Sequence, residues 1–400
     1  MAGRRYAVQG PLGFYAAGFR EELVLLGYSE RGALEHLGLL RDLSAWLAGE
    51  NLAAGELTAS ETARFLRGRT RRGHRGLTTA AGAAPLLGYL IRLGVVPAPA
   101  HPVPAGPAGM LLYRYRQYLI SQRGLSEGEV ARHGTAARLF VESAGPGDLD
   151  WAAITAGDVT RFVVQQCSAR SRSSACKLIS ELRSFLSFVQ LDGCCTAALS
   201  QAVPPVAAWS ASSLPRWVAP EEVAAMMASC DRQSAPGRRD FAILVLLARL
   251  GLRAGEVAAM QLGDIDWRAG EMIVHGKGRR DERLPLPQDA GEAIADYLQH
   301  GRPGTASRSV FVRLRAPLRG LTTGGVSSVV GQASKRAGLA PIGAHRLRHS
   351  AATAMLRAGA SLTEVGQVLR QRAAATTSIY AKVDHASLRA LARPWPGGAA

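Results

Sequence analysis

Toward its C-terminal end the chain carries four short clusters whose side chains suit chemistry on a phosphate. The first is Leu250-Gly-Leu-Arg-Ala-Gly-Glu-Val257, where Arg253 falls between an apolar run and the next helical pattern. A guanidinium is planar and always charged, so at such a junction it can hold two non-bridging oxygens and neutralise charge that builds up on phosphorus. The second is His275-Gly-Lys-Gly-Arg-Arg280, with Lys277 between two glycines that let backbone approach a ligand. Lysine can give a proton to a departing oxygen, which arginine with its higher pKa does not readily do; the alternative is a solvated turn. The spacing and Gly-Lys-Ser/Thr ending of a nucleotide-binding P-loop are absent. The third is His345-Arg-Leu-Arg-His349, ahead of the helical pattern Ser350 to Leu356. Residues three and four apart are neighbours on a helix, so His345 and Arg348 can reach one phosphate together. His349 is better read as a packing or hydrogen-bonding histidine. The fourth, Val368 to Asp384, contains Tyr380. A lone tyrosine near a chain end is usually a packing or surface residue, and Tyr380 takes its weight from the other three clusters.

Such clusters need a scaffold, and the pattern around them is mainly α with a small β-sheet. Pro220-Glu-Glu-Val opens a helix with proline and acids in its first turn. Asp240 to Leu250 is apolar almost all round and predicts a buried helix. Glu271 to Val274 and Arg283 to Leu286 flank a Gly- and Arg-rich turn and predict a β-hairpin with Lys277 at its tip; Val310 to Val312 reads as a further strand. Residues 216–400 are therefore expected to form a mixed α+β domain. Upstream, helical periodicity over Leu112 to Leu119, Val130 to Val141, Ala156 to Gln166 and Ser174 to Val189 predicts a bundle over 109–203. Proline-rich stretches at 97–108 and 204–215 read as linkers. Residues 1–96 show helical patterns at Phe19 to Leu26 and Leu34 to Leu47, then a basic stretch, Arg67 to Arg75, read as a loop.

A chain of 400 residues, 47% hydrophobic, has room for two or three cores. Its formal charge of +17 points to a polyanionic partner, since neutralising phosphates releases counterions; nucleic acid comes first. The Arg67 to Arg75 stretch fits a DNA backbone or a solvated charge run, the second being the commoner case. No apolar run reaches eighteen residues and no signal-peptide pattern is present, so neither membrane nor export is expected. Five cysteines lack the spacing of a zinc site and read as reduced thiols of a cytoplasmic protein. Of 48 basic residues only four are lysines, at 177, 277, 335 and 382, which favours a chemical role for Lys277.

Taken in order, Arg253, Lys277, His345-x-x-Arg348 and Tyr380 resemble the active-site series of the tyrosine recombinases, also called the phage-integrase family. The likeness runs from about Arg216 to Ala392 and is strengthened by Gly251-Leu-Arg-Ala-Gly-Glu-Val257 and Thr376-Thr-Ser-Ile-Tyr380. The 109–203 bundle, including Gln122-Arg-Gly-Leu-Ser126, is similar to the family's helical core-binding (SAM-like) domain, which grips DNA opposite the tyrosine-recombinase catalytic domain in a C-shaped clamp. Residues 1–96 match no family pattern, and their role is open.

The resemblance implies a site-specific recombinase in which Tyr380 attacks a DNA phosphate, forming a 3′-phosphotyrosyl link and freeing a 5′-hydroxyl. Arg253 and Arg348 would hold the phosphate, Lys277 would protonate the leaving oxygen and His345 would assist proton transfer at the tyrosine. Such a link keeps the energy of the broken bond, so resealing needs neither ATP nor metal and no cofactor is expected. The implied partners are duplex DNA with paired half-sites and further copies of the chain, two on DNA and four at synapsis, with accessory proteins an open matter. One position departs from the family. A histidine or tryptophan usually follows a Leu-Gly pair nine residues before the tyrosine, and here Gln371 follows Leu369-Arg370. Glutamine also offers an N–H donor. Two alternatives stay open: a catalytically impaired relative that only binds DNA, favoured by Gln371, and a relaxing topoisomerase with the same tyrosine chemistry. The segment Asp384 to Ala392 has the apolar spacing of a short helix, packing on a neighbouring copy or capping its own domain.

Overall fold

A computed structural model of the chain describes residues 8–98, 106–145, 150–204, 217–276 and 280–370. The N-terminal helices are α1 (Ala16–Leu25), α2 (Glu30–Gly49), α3 (Ala59–Arg71) and α4 (Ala80–Arg92). Ser29, Thr58 and Thr79 cap the last three, each side-chain oxygen accepting from an otherwise unpaired backbone N–H in the first turn. Their apolar stripes meet in a core that includes Phe19, Leu40, Leu43, Phe65 and Leu90. Arg67 to Arg71, expected in a loop, belong to α3. Arginine is a good helix former, and the run extends the helix by its last turns. Within it Arg69 is buried against Asp42 of α2.

Helices α5 (Gly106–Ser121), α6 (Glu127–Ser143), α7 (Ala156–Ser168) and α8 (Arg172–Leu191) form the bundle. Helix α5 begins at Gly106, inside the stretch read as linker, because Pro107 is tolerated in a first turn, where its missing N–H costs nothing. Ser126 with Glu129, and Thr155 with Asp158, close reciprocal capping boxes at the starts of α6 and α7. Tyr115, Phe140, Phe162 and Phe185 fill the centre, and the Tyr115 hydroxyl lies 3.1 Å from both His133 Nδ1 and Ser184 Oγ.

The C-terminal part contains α9 (Pro220–Ala228), α10 (Ala235–Arg249), α11 (Ala254–Ala259), α12 (Gln288–His300), α13 (Thr323–Arg336), α14 (Ala344–Arg357) and α15 (Leu362–Val368). Helix α10 is its spine, with Ala242 to Leu247 all buried, as its apolar surface demands. An antiparallel sheet of β1 (Ile265–Asp266), β2 (Glu271–Gly276) and β3 (Arg280–Pro285) lies in that order, with Glu271 opposite Pro285 and Gly276 opposite Arg280. The expected hairpin is thus present. Val310 to Val312 do not join that sheet. They make single bridged contacts instead, with Val310 N–H donating to Met260 and Leu321 N–H to Phe311.

The chain divides into two compact units, Ala100–Ser212 and the combination of Met1–Pro99 with Ser213–Ala400. Within the second unit, the N-terminal helices touch the C-terminal part where Leu318 N–H donates to the Leu26 carbonyl at 2.8 Å. Gly27 has φ +76°, and a Cβ there would sit 2.2 Å from Leu318 Cδ1. The contact therefore favours glycine, both for backbone conformation and for space.

Candidate active site

Arg253 ends the turn after α10 and caps α11. Its backbone N–H donates to Glu256 Oε2 at 2.8 Å and its guanidinium to Oε1 at 2.6 Å. Glu256 is buried at 4% exposure, whereas 42% of the Arg253 side chain faces solvent. A second arginine, Arg370, reaches the same carboxylate from beyond α15, with Nη2 to Oε2 at 2.7 Å. Burial pushes the Glu256 carboxyl up, but the Arg253 backbone N–H, the charge of Arg370 and the Arg253 side chain outweigh it and hold the group below the ordinary carboxylate range.

Arg348 and His345 come from the first turns of α14. Arg348 is almost fully buried, and its guanidinium donates to the main-chain carbonyls of Gly251 and Leu369. Gly251 has φ +58°, and a Cβ on it would lie 2.5 Å from Leu369 Cδ2, so glycine lets the turn before Arg253 nest against α14 and α15. His345 is exposed at the cleft, and its ring meets that of His349 edge to face, 4.5 Å between centroids. Burial, then the charges of Arg348 and Arg253, hold the His345 pKa below the usual histidine value. His349 is pushed down to about 4 by burial, with His345 and Arg348 adding to it. Half-buried with its ring against His345, it has the surroundings of a packing or hydrogen-bonding histidine.

These elements surround an open cleft of about 710 Å³ lined by Arg253, Glu256, His275, Thr323, His345 and Arg348 among others. Three of the expected site residues, Arg253, His345 and Arg348, therefore share one cavity, although His345 is 92 positions (345 − 253) from Arg253 in the chain. Gly276, the last described residue before Lys277, lines the same cleft. Lys277, Gln371 and Tyr380 lie outside the described residues, as does the segment Asp384 to Ala392.

Glu256 and His275 line the cleft and Arg370 touches Glu256, and sequence pattern alone does not mark these three groups as site residues. Glu256 stood inside a quoted motif, three residues after a helix cap, which is a capping-box signal. Arg370 enters the sequence pattern only as the neighbour of Gln371. His275 of β2 lies between two carboxylates, Nδ1 to Asp281 Oδ1 at 2.7 Å and Nε2 to Asp264 Oδ2 at 3.1 Å. The Asp281 hydrogen bond, opposed by burial and aided by Asp264, raises its pKa.

The geometry presents two guanidinium groups and an imidazole to one cavity, a set able to bind a phosphate diester and move a proton beside it. Comparison with known proteins agrees. The model of the "Phage integrase family" matches residues 216–387, and that of the "Phage integrase, N-terminal SAM-like domain" matches 112–192. A putative integrase/recombinase of Sinorhizobium fredii, y4rA, is 40% identical over 98% of this chain and 96% of its own length. Tyrosine recombinase XerD of Listeria monocytogenes is 29% identical over 70% of this chain and 96% of its own. Among solved structures, XerH bound to a palindromic difH substrate matches with a TM-score of 0.57 at 17% identity, over 82% of this chain and 93% of that one. These matches lend no support to an impaired relative that only binds DNA. Among the described residues no helix is long and apolar enough to cross a membrane.

Proposed function

Because this chain belongs to the phage integrase family of tyrosine recombinases and is a site-specific DNA recombinase, we propose that Arg253, Lys277, His345, Arg348, Gln371 and Tyr380 form its catalytic set. The observation that carries this assignment is the convergence of Arg253, His345 and Arg348 on one cleft at the end of β2. Arg253 and Arg348 hold the non-bridging oxygens of the scissile phosphate and offset charge in the pentacoordinate transition state. The Tyr380 oxygen attacks phosphorus as its proton leaves toward His345, whose depressed pKa keeps the imidazole neutral and able to accept. The bond from phosphorus to the 5′-oxygen breaks, Lys277 protonates that oxygen, and a 3′-phosphotyrosyl link remains. Gln371 donates an N–H to the phosphate. Attack by a 5′-hydroxyl reverses the steps and reseals the strand without ATP or metal.

Residues 109–203 serve as the core-binding domain, 216–400 as the catalytic domain and 97–108 and 204–215 as the linkers, with 1–96 an added helical region. The working form is two copies on paired half-sites and four at synapsis, acting in the cytoplasm. The analogy is a lambda integrase dimer bound to a COC′ core site, matched with a TM-score of 0.55, and a lambda integrase tetramer bound to a Holliday junction. The test is covalent capture: sheared genomic DNA of the source organism is incubated with the protein in EDTA, denatured, and the protein-linked fragments sequenced. The expected result is one enriched site, lost in Tyr380→Phe and more abundant in Gln371→His. DNA retained before denaturation with no covalent product afterwards would overturn the assignment.

A further inference from the structure

Arg370 is held in an unfavourable backbone conformation. With φ +56° it is one of three non-glycine residues in the left-handed region among the described residues, where a bulky side chain rarely rests without compensation. The family pattern has glycine here, before the histidine or tryptophan that Gln371 replaces. The compensation is Glu256, and the same carboxylate is what grips Arg253.

We propose that Arg370 is a positioning residue for Arg253, bracing Glu256 from the far side so that Glu256 presents the Arg253 guanidinium to the scissile phosphate in one fixed direction. The inference rests on the recombinase assignment above. Two physical arguments support it. A carboxylate held on one side only can rotate with its partner, whereas Glu256 has one oxygen on the Arg253 guanidinium and the other shared by the Arg253 N–H and Arg370. Charge is the second. Arg253 and Glu256 alone sum to zero and would offer a phosphate a neutral pair, while the trio keeps one positive charge at the cleft. Arg370 is itself 4% exposed, so it acts through Glu256 and not on DNA.

The arrangement has a signature in pH. The charged and titratable groups around Glu256 are Arg253 on its own element and Arg370, with His345 and Arg348 of α14 and His275 of β2 lining the same cleft. Burial opposes the charged carboxylate, and Arg370 is one of the groups that overcome it. Removing Arg370 lets burial gain, so Glu256 takes up its proton at higher pH and releases Arg253.

The test uses the full-length protein and a nicked duplex carrying the captured site, with single-turnover cleavage followed from about pH 3.5 to pH 8. Arg370→Gly suits the left-handed backbone and is expected to cleave about 10- to 100-fold more slowly at saturating DNA, the scale of a misplaced catalytic group. DNA affinity should stay within a few-fold, and the acid limb of the rate profile should move to higher pH. Arg370→Lys should restore most of the rate and return the limb toward its original position. An unchanged rate and limb in Arg370→Gly would overturn the proposal, as would a rate loss matched by loss of folded protein with the limb unmoved. Should the glycine variant not fold, Arg370→Gln decides in the same way: a shifted limb supports the proposal and an unshifted one ends it. If the wild-type protein itself forms no adduct, the recombinase assignment fails and this inference with it, whereas adduct formation insensitive to residue 370 sinks the inference alone.

Discussion

Among the described residues, Asp42 and Glu256 each join a buried arginine to an exposed one, in different regions of the molecule. In the N-terminal helices Asp42 takes Arg69, 7% exposed, on one oxygen and Arg41, 56% exposed, on the other. At the cleft Glu256 takes Arg370, 4% exposed, and Arg253, 42% exposed. The local pattern is shared, yet the surroundings differ. Asp42 is 24% exposed, and Arg41 is turned toward water from α2. Glu256 is 4% exposed, and the arginine it directs shares a cavity with His345 and Arg348. An arginine–carboxylate–arginine bridge is thus a fastener in itself. On the catalytic assignment proposed above, it becomes a device for chemistry when the carboxylate is sealed from solvent and its outer arginine faces other reactive groups.

The sharpest way to break that contrast is to remove the outer arginine at each place. Arg253→Ala should slow single-turnover cleavage by about 100- to 1,000-fold, the loss typical of one transition-state donor, while the melting temperature changes little. Next in size is Asp42→Ala, which strands Arg69 beside Phe65 without a counter-charge. It should cost about 3 kcal/mol in denaturant unfolding, the low end for a broken buried pair because Asp42 is partly wet, with the cleavage rate per folded molecule unchanged. Titration gives a smaller effect. His349 is held at about 4 in the fold against about 6.5 in an unfolded chain, so only the unfolded state gains its proton as pH falls between those values. Stability should therefore drop on acidification from about pH 6.5 toward pH 4, and His349→Gln should remove about 1 kcal/mol of that drop, read as melting temperature against pH. Smallest is Arg41→Ala, an exposed pair worth at most about 0.5 kcal/mol, with no change in cleavage. Equal losses from Arg41→Ala and Arg253→Ala would erase the distinction between the two regions.

How much of this was legible in the sequence follows from what each signal can encode. The suitability of Arg253, His345 and Arg348 for phosphate chemistry is legible in residue type and local spacing, and α10 and the β2–β3 hairpin in hydrophobic pattern and turn residues. Periodicity reports which face of one element is buried but not which distant residue meets it. Asp42 and Arg69 are 27 positions apart, and Glu256 and Arg370 are 114 apart, so the long-range half of each bridge has no local trace. Arg69 was read as one of a run of similar arginines because composition cannot tell the single inward member from its outward neighbours. Val310 to Val312 misled for a related reason: three apolar β-formers signal burial, and burial was satisfied by isolated pairings with residues near 260 and 320 instead of a strand in the sheet.

The acceptors of Arg348 have a consequence for how this gene can change. Its guanidinium ends on the carbonyls of Gly251 and Leu369, which belong to the peptide chain and not to any side chain. No codon change deletes a carbonyl. Side-chain changes therefore leave these two acceptor groups in the chain, and loss of the arginine leaves both oxygens without that donor. Glu256 differs, because both arginines that hold it can be rewritten by mutation. Divergence should accordingly reach position 370 more readily than position 348.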